Sequence, residues 1–344
     1  MSAEDTVHKR TPLFWAVVGN NEEVAKLLLD EGADADCEDA DGYTALSTAA
    51  GEGFKEMVTL LLENGADIDL KGKYECSPLS AAVGNGREEI IKVLLEKGVN
   101  LETTNEDGST PLAEAAGCGQ LAIAKLLLQK GASTQARDGD GRTALSLAAE
   151  MGHEEMIKLL LENGADIESR DDSGSTALAI AVDSLQKGPV KLLLEKGAFK
   201  ETSDDAGNTP LCSAVGNRDK ELVEILLQHG ADLETHDEHG DTPLSIVTRK
   251  GFKDMAILLL EKGAKVEARN DERQTPLLIA ASFAHLELAK LLLDHGASLA
   301  AKDLHNQTPK FAAMANSSND ELINLLEKNE GYTYEGDSQS STAG

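Results

Sequence analysis

The chain has 344 residues, 61 of them acidic and 32 basic, for a net charge of −29. That balance excludes the basic face with which proteins displace counterions from nucleic acid, and favours encounter with a basic partner. Four cysteines without C-x-x-C spacing exclude a disulfide scaffold and no apolar run is long enough for a bilayer; with no secretory signal at Met1–Asp5, a reducing compartment is expected, the cytoplasm with the nucleus left open.

The first element opens at Thr11-Pro12-Leu13. The same opening returns at Thr44, Ser77, Thr110, Thr143, Thr176, Thr209, Thr242, Thr275 and Thr308, ten times at a spacing of 33 residues without insertion or deletion. A fixed period of this length means an array of one small unit stacked on itself. Thr before Pro reads as an N-cap: the hydroxyl accepts an orphan N–H, and Pro at the first helical position has none to lose. Leu13 and its counterparts, followed by small residues such as Ala49-Ala50 and Ala115-Ala116, give a short helix with one apolar face. A turn, often with Gly (Gly53, Gly86, Gly119, Gly152, Gly251), closes it. A second helix follows, as in residues 56–62, with a run of Leu that recurs from Leu27, Leu126, Leu159, Leu192, Leu258 and Leu291. Gly32, Gly65, Gly98 and their counterparts end it. The polar stretch leading to the next Thr, such as Arg137–Arg142, has the chemistry of a turn long enough for a hairpin.

This pattern of Thr-Pro-Leu, two helices and a Gly-Ala-Asp exit (Gly65-Ala66-Asp67, Gly164-Ala165-Asp166) resembles the ankyrin repeat and covers residues 1 to about 330. The resemblance implies an all-α repeat solenoid, each unit two antiparallel helices plus a β-hairpin or turn, with partners bound on a concave surface of hairpin tips and first-helix faces. There are two departures. The family's His after Thr-Pro-Leu is missing from every copy. Its Asn after Gly-Ala-Asp is mostly acidic here, at Asp36, Asp69, Glu102, Glu168, Glu201, Glu234 and Glu267, as in fungal-style arrays; these acids read as a solubilising ladder along one edge.

Stacked units need ends that differ from the middle. The last copy replaces the core Leu with Lys310 and breaks the Leu run at Asn324, which reads as a cap; the first copy lacks the Gly-bearing hairpin. One array over residues 1–330, capped at both ends, is therefore expected, followed by a disordered acidic and Ser-rich tail over 331–344. The sixth copy has no Gly at the usual turn and puts Pro189 at the start of its second helix, so lower local stability is expected around residues 183–191.

Candidate binding residues come from the positions that vary between copies. Leu147, Ile180, Ile246 and Ile279 put an interrupted apolar strip on the first-helix face, to be read as a contact surface unless neighbouring side chains cover it. Glu114, Glu150 and Asp183, with Arg142 nearby, suggest either a solvated acidic face or a pocket for a partner's cationic group. Trp15, Tyr43 and Tyr74 form an aromatic group of the kind that dominates hot spots, and Asp241 varies at the position just before the repeated Thr. No motif places a nucleophile beside a base. Gly117-Cys118-Gly119 lacks the third Gly of a dinucleotide loop, and His236-Asp237-Glu238-His239 lacks the support of a zinc site, so no cofactor and no metal are expected. The leading expectation is a monomeric protein-binding scaffold or adaptor with no chemistry of its own. The alternative is a small-molecule-binding or catalytic array, with Trp15, Tyr43, Glu114, Arg142, Glu150 and Asp183 lining a concave pocket.

Overall fold

The structure, a computed structural model, describes residues 9–72, 75–315 and 320–336. Its described residues form twenty helices in pairs, divided between two compact units, Met1–Asp172 and Ser173–Gly344. The first unit holds α1 (Pro12–Val18) and α2 (Glu22–Asp30), α3 (Ala45–Glu52) and α4 (Lys55–Glu63), α5 (Pro78–Gly84) and α6 (Glu88–Glu96), α7 (Pro111–Gly117) and α8 (Leu121–Gln129), and α9 (Ala144–Glu150) and α10 (Glu154–Glu162). In the second unit are α11 (Ala177–Asp183) and α12 (Lys187–Glu195), α13 (Pro210–Gly216) and α14 (Lys220–Gln228), α15 (Pro243–Lys250) and α16 (Lys253–Glu261), α17 (Pro276–Ser282) and α18 (Leu286–Asp294), and α19 (Pro309–Ala315) and α20 (Asp320–Gly336). The expected tail overlaps the end of α20 at residues 331–336 and otherwise lies outside the described residues.

The repeated Thr does what its chemistry suggests. Thr11 Oγ1 accepts the Phe14 N–H at 3.1 Å, and Thr44 forms a full capping box with Ser47. Behind the cap, Leu13, Leu46, Leu79, Leu112 and Leu145 are each at most 1 % exposed, so one apolar seam runs through the first unit. The Ala pairs 49–50, 115–116 and 148–149 are fully buried, and their small size lets successive first helices pack closely: α1, α3, α5, α7 and α9 form one layer, α2 to α10 the other. The second unit has an equivalent seam of its own at Leu178, Leu211, Leu244 and Leu277. It stops at Lys310, whose ammonium pairs instead with Glu327 at 3.1 Å and Glu330 at 3.4 Å on α20.

Three sets of hydrogen bonds fasten neighbouring pairs. The second helices mostly lack a side-chain cap because the residue before them reaches back to the preceding pair: Arg87 Nε donates to the Gly51 carbonyl at 2.9 Å, Gln120 Nε2 to Val83 at 2.8 Å, and a His153 ring nitrogen meets Gly117 at 3.1 Å. The segments expected as hairpins are turns: among the described residues only isolated bridges form, Glu38 with Thr44 and Arg137 with Thr143. These turns start from an Asp or Asn whose Oδ1 takes the N–H groups two and four residues on, as Asp138 does with Asp140 and Arg142. Their tips are laced by backbone bonds, Gly139 N–H to Asp107 and Asp172 N–H to Asp140 in the first unit. Gly141 (φ 75°) must be glycine there, since a Cβ would lie 2.2 Å from Asp172 Oδ1.

The third set adds to an expectation. The acids at the family's Asn position, exposed at Asp69, Glu102, Glu201 and Glu267, are more than a solubilising ladder. Asp36, Asp69 and Glu102 accept the backbone N–H of Asp67, Asn100 and Ser133 at 2.8 Å each, one repeat onward. Glu201, Glu234 and Glu267 do the same for Asp232, Lys265 and Ser298 at 2.8–2.9 Å. A carboxylate is a stronger acceptor than the amide it replaces, so these acids tie each unit together as well as adding charge.

Candidate functional site

On the first-helix face of the first unit, α3, α5 and α7 line a cleft of about 390 Å³. Tyr43 and Thr48 line it from one repeat, Ser80, Ala81 and Gly84 from the next, and Glu114 from the one after. Gly51 and Gly84, at the ends of their short helices, leave the cleft open where side chains would narrow it. A Cβ on Gly84 would lie 2.8 Å from Glu114 Oε1, and one on Gly51 would lie 3.6 Å from the Ala81 methyl.

Glu114 is the unusual group. Its Oε2 is buried with no hydrogen-bond partner, and burial pushes its carboxyl up to about 7. No nearby cation opposes that rise among the described residues. Cys76, half-buried at the same cleft, has its thiol pushed up by burial and further by the Glu114 charge, so it is held protonated. The cleft's own cation, Arg10, is already engaged: it pairs with the buried Asp39 at 3.1 Å and lies over the rings of Trp15 at 5.0 Å and Phe14 at 5.3 Å. Of the cleft's hydroxyls, Ser47 donates to the Thr44 carbonyl at 3.0 Å, and Ser80 Oγ accepts from Ser77 Oγ at 3.2 Å.

The sequence pattern described as ankyrin repeats in three copies matches residues 2–72, 70–138, 131–204 and 186–270, and that of the single ankyrin repeat matches 272–304. The chain belongs to the ankyrin-repeat family. Ankyrin repeats are in general protein–protein interaction modules. Comparison with curated proteins finds no match. No described helix of this ankyrin protein is long and apolar enough to cross a membrane.

The ankyrin frame places each expected site residue. Trp15 and Tyr43 are exposed, Trp15 beneath Arg10 and Tyr43 at the cleft mouth, whereas Tyr74 lies outside the described residues. Glu114 lies at the cleft, but Arg142 and Glu150 form a separate group: Arg142 pairs with Asp138 at 3.0 Å, Asp140 at 3.1 Å and Glu150 at 3.4 Å. Asp183 belongs to the second unit, where desolvation raises its carboxyl, Asp204 adds to the rise, and Ser213 and Asn217 oppose it by hydrogen bonding.

Two expectations need correction. The apolar strip is not an exposed surface. Leu147 is 9 % exposed, settled beside the missing side chain of Gly117, and Ile279 is fully buried on α17 between α15 and α19; Ile180 and Ile246 are half-buried. Asp241 is no free carboxylate for a partner either. It is 2 % exposed and accepts from Arg249 Nη2 at 2.7 Å, Arg249 Nε at 2.9 Å and Asn270 Nδ2 at 2.8 Å. The residue before the repeated Thr also joins its local turn in other copies, Arg142 through Asp138 and Asn208 through Asp204. Gly51, Gly84, Ser80, Ala81 and Cys76 line the cleft without being among the candidate residues chosen from the sequence. The available signal was their coincidence with Glu114 in adjacent copies of one frame.

Proposed function

We propose that this protein is a partner-binding module that receives a segment of another protein on the first-helix face of its first unit, at the cleft between Tyr43 and Glu114. The observation that carries the proposal is that cleft: it is open at Gly84, Asn85 and Glu52, and the small residues Gly51, Ser80 and Ala81 that line it leave room for a protruding group. Preformed helices hold it, so little ordering entropy opposes binding. A groove of about 430 Å³ between α2 and α4 is larger, but its polar lining is exposed or half-buried, with Glu22, Lys26, Lys55 and Glu56 all solvated. It offers nothing a partner is needed to satisfy.

The raised carboxyl of Glu114 favours a second reading, a pocket for a small molecule or for catalysis. Against catalysis stands the chemistry around it: the Cys76 thiol is held protonated, and the Ser47 hydroxyl is donated to the Thr44 carbonyl. Affinity capture from the cell of origin tests the main reading. Ala81→Arg fills the cleft, and Thr59→Arg puts the same charge in the groove between α2 and α4. A partner lost with the first variant and kept with the second supports the cleft. A partner kept by both, or lost by both with the helical spectrum intact, removes it.

A further inference from the structure

Resting on the reading of the cleft as a partner-binding site, we infer that its end at Glu114 is a receptor for a single lysine side chain carried by the partner. The geometry supplies one acceptor. Oε1 stands over Gly84, a cleft residue whose missing side chain leaves the approach clear, while Oε2 is buried behind it and takes no hydrogen bond. A guanidinium binds best through both carboxylate oxygens in one plane, whereas a compact ammonium needs only one. The polarity agrees. Arg10 is tied to Asp39, Glu52 stands exposed at the rim, and Cys76 is the titratable neighbour whose ionisation Glu114 disfavours, so the cleft holds no positive charge left to receive an anion. The chain's charge of −29 draws cations toward it. A lysine entering over Gly84 would meet a carboxyl that the empty protein leaves without a counter-charge among its described residues.

The probe is n-butylammonium, the lysine side chain without its backbone. Carbon-13 spectra of glutamate-labelled protein follow the Glu114 carboxyl, identified as the resonance absent from Glu114→Gln. Saturating butylammonium should lower its midpoint by about 1 pH unit or more, as an opposite charge at contact does, beyond the effect of sodium chloride at equal ionic strength. Gly84→Ala, which sets a methyl against Oε1 without changing any charge, should abolish the difference. A midpoint that moves no further than with sodium chloride overturns the proposal. An equal fall with n-propylguanidinium, or an undiminished fall in Gly84→Ala, does so too. Loss of the partner on Ala81→Arg together with an unmoved midpoint would sink the lysine assignment alone. A partner indifferent to Ala81→Arg would sink the cleft reading beneath it.

Discussion

Replacing Glu114 by Gln removes one titration while keeping the side chain's shape. The carboxyl ionises near 7 in the fold, against an ordinary value of 4.5, because it is buried and no cation offsets that burial. Between those values the folded protein holds a proton that the unfolded chain has released. Stability therefore falls as pH rises through this window and stays at the lower level above it. The full gap corresponds to roughly 3 kcal/mol, of which about 2 kcal/mol accrues between about pH 5.5 and pH 8.5. Glu114→Gln lacks the penalty. Urea unfolding followed by circular dichroism should show wild type losing about 2 kcal/mol relative to the variant across that interval. The general repulsion among the other acids is common to both proteins and cancels in the comparison. Stability curves that run parallel from acid to alkaline pH would refute the claim that Glu114 is ionised at a cost.

The carboxylate ties can be tested singly: Glu234→Ala should cost about 1 kcal/mol by freeing the Lys265 N–H, whereas Glu261→Ala, an exposed acid of equal charge, should cost almost nothing in urea melts. Equal effects would return these acids to a merely solubilising role. In the second unit, Leu185 adopts φ 58° at a turn position held by glycine at Gly119 and Gly251 and by Arg218 and Ala284 in two other pairs, a left-handed conformation that costs a side-chain-bearing residue about 1–2 kcal/mol. Amide hydrogen exchange across residues 184–190 should accordingly run roughly tenfold faster than in the turns leading into α8 and α16. Equal protection would remove the idea of a weak sixth repeat.

The period of 33 residues made the helix pairs legible before any coordinates, because each cap, core Leu and closing glycine answers a local demand of the backbone that repeats with the chain. Thr44, Leu46 and Gly53 could be assigned from chemistry within a dozen residues. The candidate site was legible only in part. Glu114 and Tyr43 stood out as variable positions, but the same argument selected Leu147, Ile279 and Asp241, which the fold buries. Variation between copies says that stacking does not dictate a residue; it does not say whether a neighbour a repeat away covers it. That depends on residues brought together from 29 to 31 positions apart: Gly117 making room for Leu147, Asn270 reaching Asp241, Glu102 catching the Ser133 N–H. The sequence by itself determined the repeating frame and its polarity, since those follow from hydrogen bonds and apolar spacing along one stretch of chain. Only the tertiary structure decided which carboxylates are consumed as ties and that Glu114 keeps one oxygen, Oε2, buried without a partner, because desolvation is a property of the surroundings rather than of the residue.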